Sequence, residues 1–256
     1  MIKNQVHSSQ SGIFDISAAM LHIIAMTFML MDHLWATLLP AQDWLTCVGR
    51  LAFPIFAFMA VEGYFHTHSF KKYILRLLLF AVLSEIPFDL MYGGIWFYPF
   101  HQNVIWTLLI GLSGIHLMEK VRKKQKLWIF LPTAVLVMLV GSALGTVGMA
   151  DYYGAGVLTL FIFYFFRGRK WWCFSGQLLA LYWVNVELLG GLMYPIRLLG
   201  MDFELCQQGL ALLSLLPIWL YRGRQGCHTK VFQYSCYAFY PVHMLSLALV
   251  LNYVNR

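Results

Sequence analysis

Apolar runs of about 20 residues recur along the whole chain and restrict it to folds that a lipid bilayer accepts. The 256 residues are 60% hydrophobic and only 11% charged, whereas soluble domains carry about 25% charged residues. In lipid, only helices and closed barrels satisfy all of their backbone hydrogen-bonding groups. The sequence therefore predicts an all-α, polytopic transmembrane helical bundle.

The chain is predicted to form one transmembrane domain, residues 18–256, after a cytoplasmic N-terminal segment, residues 1–17. That segment does not resemble a cleaved signal peptide, because Lys3 is its only Lys or Arg and the apolar run that follows is too long. The nine predicted spans are 18–39, 48–65, 72–91, 101–118, 127–147, 152–166, 171–192, 205–221 and 233–253.

The basic residues orient the predicted bundle. All of the 18 Lys and Arg residues except Arg50, Arg197 and Arg256 fall in alternate segments between the predicted spans. Because cytoplasmic loops carry the excess of Lys and Arg, the pattern predicts a cytoplasmic N-terminus and an extracytoplasmic C-terminus. The basic run 119–126 is expected to meet anionic lipid headgroups or to bind a cytosolic phosphate. The net charge of +7 is thereby explained without a nucleic-acid partner.

No metal site is predicted. The five cysteines show no CxxC spacing, and free thiols are expected on the reducing side of the membrane. His66 and His68 have the spacing of a metal pair, but further ligands are lacking nearby.

Ionisable and polar residues gather in the outer halves of the predicted spans. Such groups are costly at membrane depth unless they are paired or hydrated, so their convergence predicts a hydrated cavity that opens outward. The predicted lining consists of His33, Arg50, Glu85, Asn103, Asp151 and His243. Three structural alternatives stay open: an ion pair of Arg50 with Glu85 or Asp89, interhelical hydrogen bonds of Asn103, and a helix cap at Asp151.

Asp32 and His33 stand side by side in the first predicted span, in "FMLMDHLWATLLP". Adjacent residues of a helix point about 100° apart, so one can face the cavity while the other reaches a neighbouring helix. A neutral histidine can act as a base near neutral pH, and a nearby carboxylate can fix its tautomer. A purely structural ion pair is the alternative.

Six segments, in order along the chain, resemble the TraX family of integral membrane proteins. They are "MLHIIAMTFMLMDH", "GRLAFPIFAFMAVEGYF", "RLLLFAVLSEIPFDL", "HQNVIWTLLIGL", "DYYGAGVL" and "YAFYPVHMLSLAL". The family is named for N-acetylation of conjugative pilin, and it looks related to a wider superfamily of transmembrane acyltransferases. The resemblance implies a multi-pass acetyltransferase of the bacterial cytoplasmic membrane. His22 departs from the family pattern, which usually has Lys or Arg there.

The resemblance also implies roles for individual residues. The implied catalytic residues are His33, Asp32 and Glu85. The implied substrate-binding residues are Arg50, Asn103, Asp151, Tyr152, Tyr240 and His243. Acetyl-CoA is the implied donor, and its phosphates are expected near the basic residues Lys71, Lys72, Arg76, Arg169 and Lys170. The expected acceptor is a small-molecule, lipid-linked or peptide amine or hydroxyl that enters from outside.

In the expected reaction, an acetyl group passes from cytosolic acetyl-CoA to an acceptor at the extracytoplasmic side, with His33 as general base. Asn103 or Tyr240 would hydrogen-bond the oxyanion. Direct transfer and an acetyl-imidazole intermediate on His33 both stay open. The alternative function is a proton-coupled transporter or flippase with a relay of Asp, Glu and His residues. A non-catalytic assembly subunit is a third class, but it would not need so many ionisable residues at one depth.

Overall fold

The fold is predominantly α-helical. The computed structural model describes residues 15–124, 126–198, 200–227 and 229–254, so the predicted segment 1–17 lies outside the described residues except for its last three. The α-helices are α1 (Ala18–Thr37), α2 (Asp43–Gly49), α3 (Ala52–His66), α4 (Phe70–Tyr92), α5 (Val104–Lys124), α6 (Leu127–Val147), α7 (Tyr153–Phe165), α8 (Trp171–Tyr182), α9 (Leu215–Leu220) and α10 (Lys230–Val254). A π-helical stretch, Trp183–Leu189, extends α8, and a 3₁₀ stretch, Gln207–Ser214, leads into α9.

Among the residues that the structure describes, five helical segments are long and apolar enough to cross a membrane. They are α1, the segment Asp43–His66 that holds α2 and α3, α5, α6 and α10. This confirms the prediction of an α-helical membrane protein. The predicted number of nine spans and the orientation of the termini stay predictions.

Several predicted spans depart from one continuous helix. The second is divided between α2 and α3, with a break at Arg50 and Leu51. The seventh changes from α- to π-helix, and the eighth starts with two strand residues and continues as a 3₁₀ helix. The first of these breaks matters most for the site, because it presents Arg50 at a helix end rather than on a regular helical face.

A β-hairpin is the main departure from the all-α prediction. Strands β1 (Met193–Leu198) and β2 (Met201–Cys206) pair antiparallel, with Ile196 opposite Phe203. Apolar residues alternate along both strands, which is the pattern of a half-buried strand rather than a helix. Gly200 in the turn has a φ of +82°, which a glycine adopts without strain.

Helix α7 lies at the centre of the bundle and packs against α3, α5 and α6. Its side chains Val157, Leu160 and Phe161 are almost completely buried. Glycines on the neighbouring helices allow this close approach: a Cβ atom added at Gly145 of α6 would lie 2.8 Å from the carbonyl oxygen of Tyr153. Small residues at helix contacts let backbones approach closely in membranes. The packing fixes the start of α7, where Asp151 and Tyr152 lie.

We expect Gly145→Ala to lower the thermal unfolding temperature in detergent, because the added methyl group meets backbone that cannot move aside. Overpacking costs about 1–3 kcal/mol, which outweighs the roughly 0.5–1 kcal/mol that alanine gains over glycine inside a helix. Gly141→Ala on the same helix is the matched control, since its nearest neighbour is a side-chain methyl of Val157 at 3.2 Å. Equal unfolding temperatures for the two variants would contradict this account of the α6–α7 contact.

Candidate functional site

A cavity of about 560 Å³, called here the polar cavity, brings together many of the predicted site residues. Of the nine predicted catalytic and substrate-binding residues, those that line it are Asp32, His33, Arg50, Asp151, Tyr152 and Tyr240. They come from α1, the break between α2 and α3, the loop before α7, and α10. A cavity of this volume is within the range of small-ligand sites.

An ion pair between Asp32 and Arg50 joins α1 to the break before α3. The Arg50 guanidinium donates a short hydrogen bond to Oδ1 of Asp32, and the Thr46 hydroxyl donates to the same oxygen at 2.7 Å. The two charged side chains are only 14% and 20% exposed. The partner of Arg50 is thus Asp32, and not Glu85 or Asp89 as the structural alternative held.

Local sequence makes room for this pair. A Cβ atom at Gly49 would lie 2.6 Å from Oδ1 of Asp32, so a larger residue there would displace the carboxylate. Arg50 has further partners: its Nε donates to the carbonyl of Thr46 at 3.4 Å, and its Nη1 donates to Oε1 of Gln208 at 3.5 Å. The guanidinium is therefore held in one orientation at the cavity wall.

His33 is oriented by His243, which lies on α10. Nδ1 of His33 is 2.7 Å from Nε2 of His243, and Nδ1 of His243 is 2.6 Å from the carbonyl oxygen of Phe239. A carbonyl can only accept, so a neutral His243 donates from Nδ1 and accepts at Nε2. His33 then donates from Nδ1, which leaves its Nε2 as the acceptor nitrogen. Asp32 supports this histidine only indirectly, because the described partners of its carboxylate are Thr46 and Arg50.

Glu85 and Asn103 form a separate polar cluster between α4 and the start of α5. The Asn103 amide donates a short hydrogen bond to Glu85 and another, at 2.8 Å, to the carbonyl of Ala81. Its Oδ1 accepts from the backbone of Ile105 at 3.0 Å. Both N–H groups of the amide are thus engaged, so an oxyanion would have to displace one of these bonds. Neither Glu85 nor Asn103 is part of the lining of the polar cavity.

Asp151 and Tyr152 occupy the turn that precedes α7. Tyr152 has a φ of +62°, its ring stacks on Phe53 at a centroid distance of 4.1 Å, and its N–H donates to Oδ1 of Asp151. Nε2 of His101 lies 3.5 Å from the same carboxylate oxygen. This left-handed turn points an acidic and an aromatic residue into the cavity together.

Tyr92 and Gln208 are among the lining residues that were not predicted. Tyr92 ends α4, and its ring lies edge-on to His33 at a centroid distance of 6.0 Å. Gln208 is buried and bonds both Arg50 and Asn185. The sequence signal for the second was available, because Gln207 and Gln208 interrupt the apolar eighth predicted span.

Of the five residues expected to hold the phosphates of acetyl-CoA, Arg76 alone lines one of the two cavities. Arg76 lines a second cavity of about 480 Å³, together with His22. Arg169 instead donates to the carbonyls of Tyr221 and Trp219, and Lys71 and Lys72 are exposed on the first turn of α4 outside that lining. Binding of acetyl-CoA stays a prediction. Within the described ranges, no group of three His, Cys, Asp or Glu side chains is arranged to hold a metal ion.

Comparison with known proteins corrects the expected function. The chain is similar to the probable fimbrial assembly protein FimC, serogroup H1, of Dichelobacter nodosus, with 28% identity over 249 residues. The similarity covers 91% of this chain and 95% of the relative. The expected function, acetyl transfer from acetyl-CoA to an outer amine or hydroxyl acceptor with His33 as base, is wrong by this comparison. The relative is described by a role in fimbrial assembly, and neither acetyl-CoA chemistry nor transport enters that description.

No solved structure matches the chain. The family model described as TraX protein matches residues 17–251. Because this match spans nearly the whole chain, the protein belongs to the TraX family.

Proposed function

We propose that this protein acts in fimbrial assembly, as a multi-pass protein of the bacterial cytoplasmic membrane, and that its polar cavity binds part of a fimbrial subunit. The observation that carries the proposal is the similarity to a fimbrial assembly protein, which extends over 91% of this chain and 95% of the relative. A shared domain alone would leave one of the two chains largely unmatched. The family model likewise matches residues 17–251, a range that contains every residue of the lining of the polar cavity.

The polar cavity offers suitable groups for a short polypeptide segment. Arg50 is held by Asp32, and a guanidinium has five N–H donors, so it can still donate to a backbone carbonyl or a carboxylate. Asp151 supplies a carboxylate that accepts hydrogen bonds, and Tyr152 supplies an aromatic wall. A small number of charged residues in an otherwise apolar cavity orients a bound ligand and makes its binding specific.

The narrower form of the proposal is enzymatic: the subunit leaves the cavity covalently modified at its amino terminus, as the pilin N-acetylation that gives the family its name implies. The broader form requires only that the cavity binds the subunit and then releases it for assembly. The intact mass of the assembled subunit separates the two forms, because only modification adds mass.

We also propose nine membrane-crossing segments, with a cytoplasmic N-terminus and an extracytoplasmic C-terminus. The distribution of Lys and Arg supports this orientation. Each of the nine predicted segments also coincides with helical structure in the described residues. In this orientation the polar cavity opens on the side of the membrane on which a fimbria is built.

The orientation predicts opposite labelling of two engineered cysteines, in a Cys227→Ser background that removes the exposed native thiol. Phe97→Cys lies in an exposed loop and is expected to react with an impermeant maleimide in intact spheroplasts. Lys124→Cys, at the end of α5, is expected to react only after the membrane is opened. Labelling of position 124 in intact spheroplasts would overturn the orientation.

The functional proposal predicts that Arg50→Ala abolishes fimbriation when it replaces the wild-type gene in the fimbriated host. Arg197→Ala is the matched control, because Arg197 is 74% exposed on the β-hairpin, where its partner Asp202 is 3.7 Å away. Electron microscopy counts fimbriae, and immunoblots of membranes confirm equal amounts of each variant. Normal fimbriation in a strain that lacks the protein would refute the proposal, and an unchanged subunit mass in that strain would refute its enzymatic form.

A second set of variants separates the structural contribution of the ion pair from its role in the site. Removing one partner of a buried pair costs about 3–5 kcal/mol, because the other charge stays unpaired, whereas an apolar replacement of both partners is often neutral. We therefore expect Asp32→Leu and Arg50→Met singly to lower the unfolding temperature, and the double variant to regain most of it. The stable double variant should still lack fimbriae. If it assembles fimbriae normally, the pair has only a structural role.

A further inference from the structure

The β-hairpin Met193–Cys206 has one apolar face and one charged face. Residues directly opposite in an antiparallel pair share a face of the sheet. Tyr194 with Leu205 and Ile196 with Phe203 therefore form the apolar face, and Met201 lies on the same face of β2. The charged face has Pro195 opposite Glu204 and Arg197 opposite Asp202. A two-stranded sheet with such a division has one side suited to water and one side that needs an apolar partner.

The apolar face is covered by the protein only at its base. Tyr194 and Leu205 are half-buried, whereas Ile196, Phe203 and Met201 are 39%, 46% and 57% exposed. On the opposite face, Arg197 and Asp202 are 74% and 86% exposed. The outer part of the hairpin thus projects from the bundle with its apolar side chains uncovered.

We propose that the partner of this face is the surface of the lipid bilayer, so that the hairpin lies flat at the headgroup interface. The helical stretches at both ends of the hairpin also carry exposed apolar side chains. Leu188 precedes β1 and is 47% exposed, and Leu213 and Leu216 follow β2 and are 49% and 59% exposed. In a bundle that spans a membrane, such side chains face lipid, and the apolar face of the hairpin extends their surface outward.

Hydrogen bonding fixes the depth of the hairpin at the interface. Both strands of a two-stranded sheet are edge strands, and each leaves a row of N–H and C=O groups without a partner strand. Unpaired backbone groups are not tolerated in the hydrocarbon region but are satisfied by water at the headgroups. The apolar side chains can enter the acyl region from there, while Arg197, Asp202 and Glu204 stay hydrated. These three charges sum to −1, so the contact depends on apolar burial and not on anionic lipid.

This contact has a consequence for the polar cavity, because the base of the hairpin forms part of the cavity wall. Leu189, Gly190, Gly191 and Leu192 before β1 and Gln207 after β2 line the cavity. Gly190 and Gly191 have φ angles of +61° and +125°, which only glycine adopts readily. The wall is thus joined to the hairpin through two glycines with positive φ angles, and the lipid contact holds the hairpin and the wall in place.

Tryptophan substitutions on adjacent residues test the proposal in the full-length protein, reconstituted in nanodiscs of zwitterionic lipid. Phe203→Trp adds a probe to the apolar face, and Asp202→Trp adds the same probe to the charged face. The nine native tryptophans give the same background in both variants and in the wild type. Equal unfolding temperatures confirm that each variant folds. Met201→Trp and Glu204→Trp form a second pair in case one of the first two fails to fold.

We expect the emission added by Phe203→Trp to lie at shorter wavelength and to be lost in nanodiscs whose lipids carry bromine near the headgroup end of the acyl chain. The emission added by Asp202→Trp should instead be lost on addition of aqueous iodide. Quenching of both probes by iodide alone would show that the face is in water and would overturn the proposal. Protection of the Phe203→Trp probe from both quenchers would also overturn it, because a protein surface, such as a second copy of the chain, would then cover the face.

Discussion

The partly buried ion pair between Asp32 and Arg50 is the interaction on which the rest of the site depends. Removing two charges from water is costly, and their attraction compensates for it only when the remaining donors and acceptors are also satisfied. Thr46 and Gln208 meet that condition. The pair connects α1 to the break between α2 and α3, and through Gln208 it reaches the helical stretch that follows the hairpin. Three separate parts of the chain are therefore held together by one guanidinium.

The helical geometry of α1 gives two adjacent residues different partners. Asp32 turns toward the break before α3, whereas His33 meets His243, which is 210 positions away in the sequence. The angle of about 100° between neighbouring helical residues leads to this result directly. The identity of each partner does not follow from it, because a contact between α1 and α10 depends on how the whole bundle packs. Local geometry could thus be predicted from the sequence, whereas the pairing of histidines could not.

The same distinction, between local geometry that can be predicted and long-range contacts that cannot, applies to the fold and to the site as a whole. The apolar runs predicted the helical segments well, because length and hydrophobicity alone determine what a bilayer accepts. The convergence of polar residues was predictable in part: His33, Arg50 and Asp151, of the six residues of the predicted lining, do line one cavity. The hairpin was missed because its alternating pattern is short and lies between two apolar segments. Glu85 was assigned to the cavity on the basis of depth alone, and depth does not reveal which neighbour a side chain contacts.

The polar cavity and the second cavity meet at a shared wall, whose members are Met29, Phe56, Val104 and Tyr240. Three of these side chains are wholly apolar, so the wall offers little to hydrate a charge. The ion pair, Asp151 and His33 all line the polar cavity and not the second one. Their hydration therefore has to come from the mouth of the polar cavity. A ligand that replaces this water must bring matching polar groups from the same side, as the proposed segment of a fimbrial subunit would do.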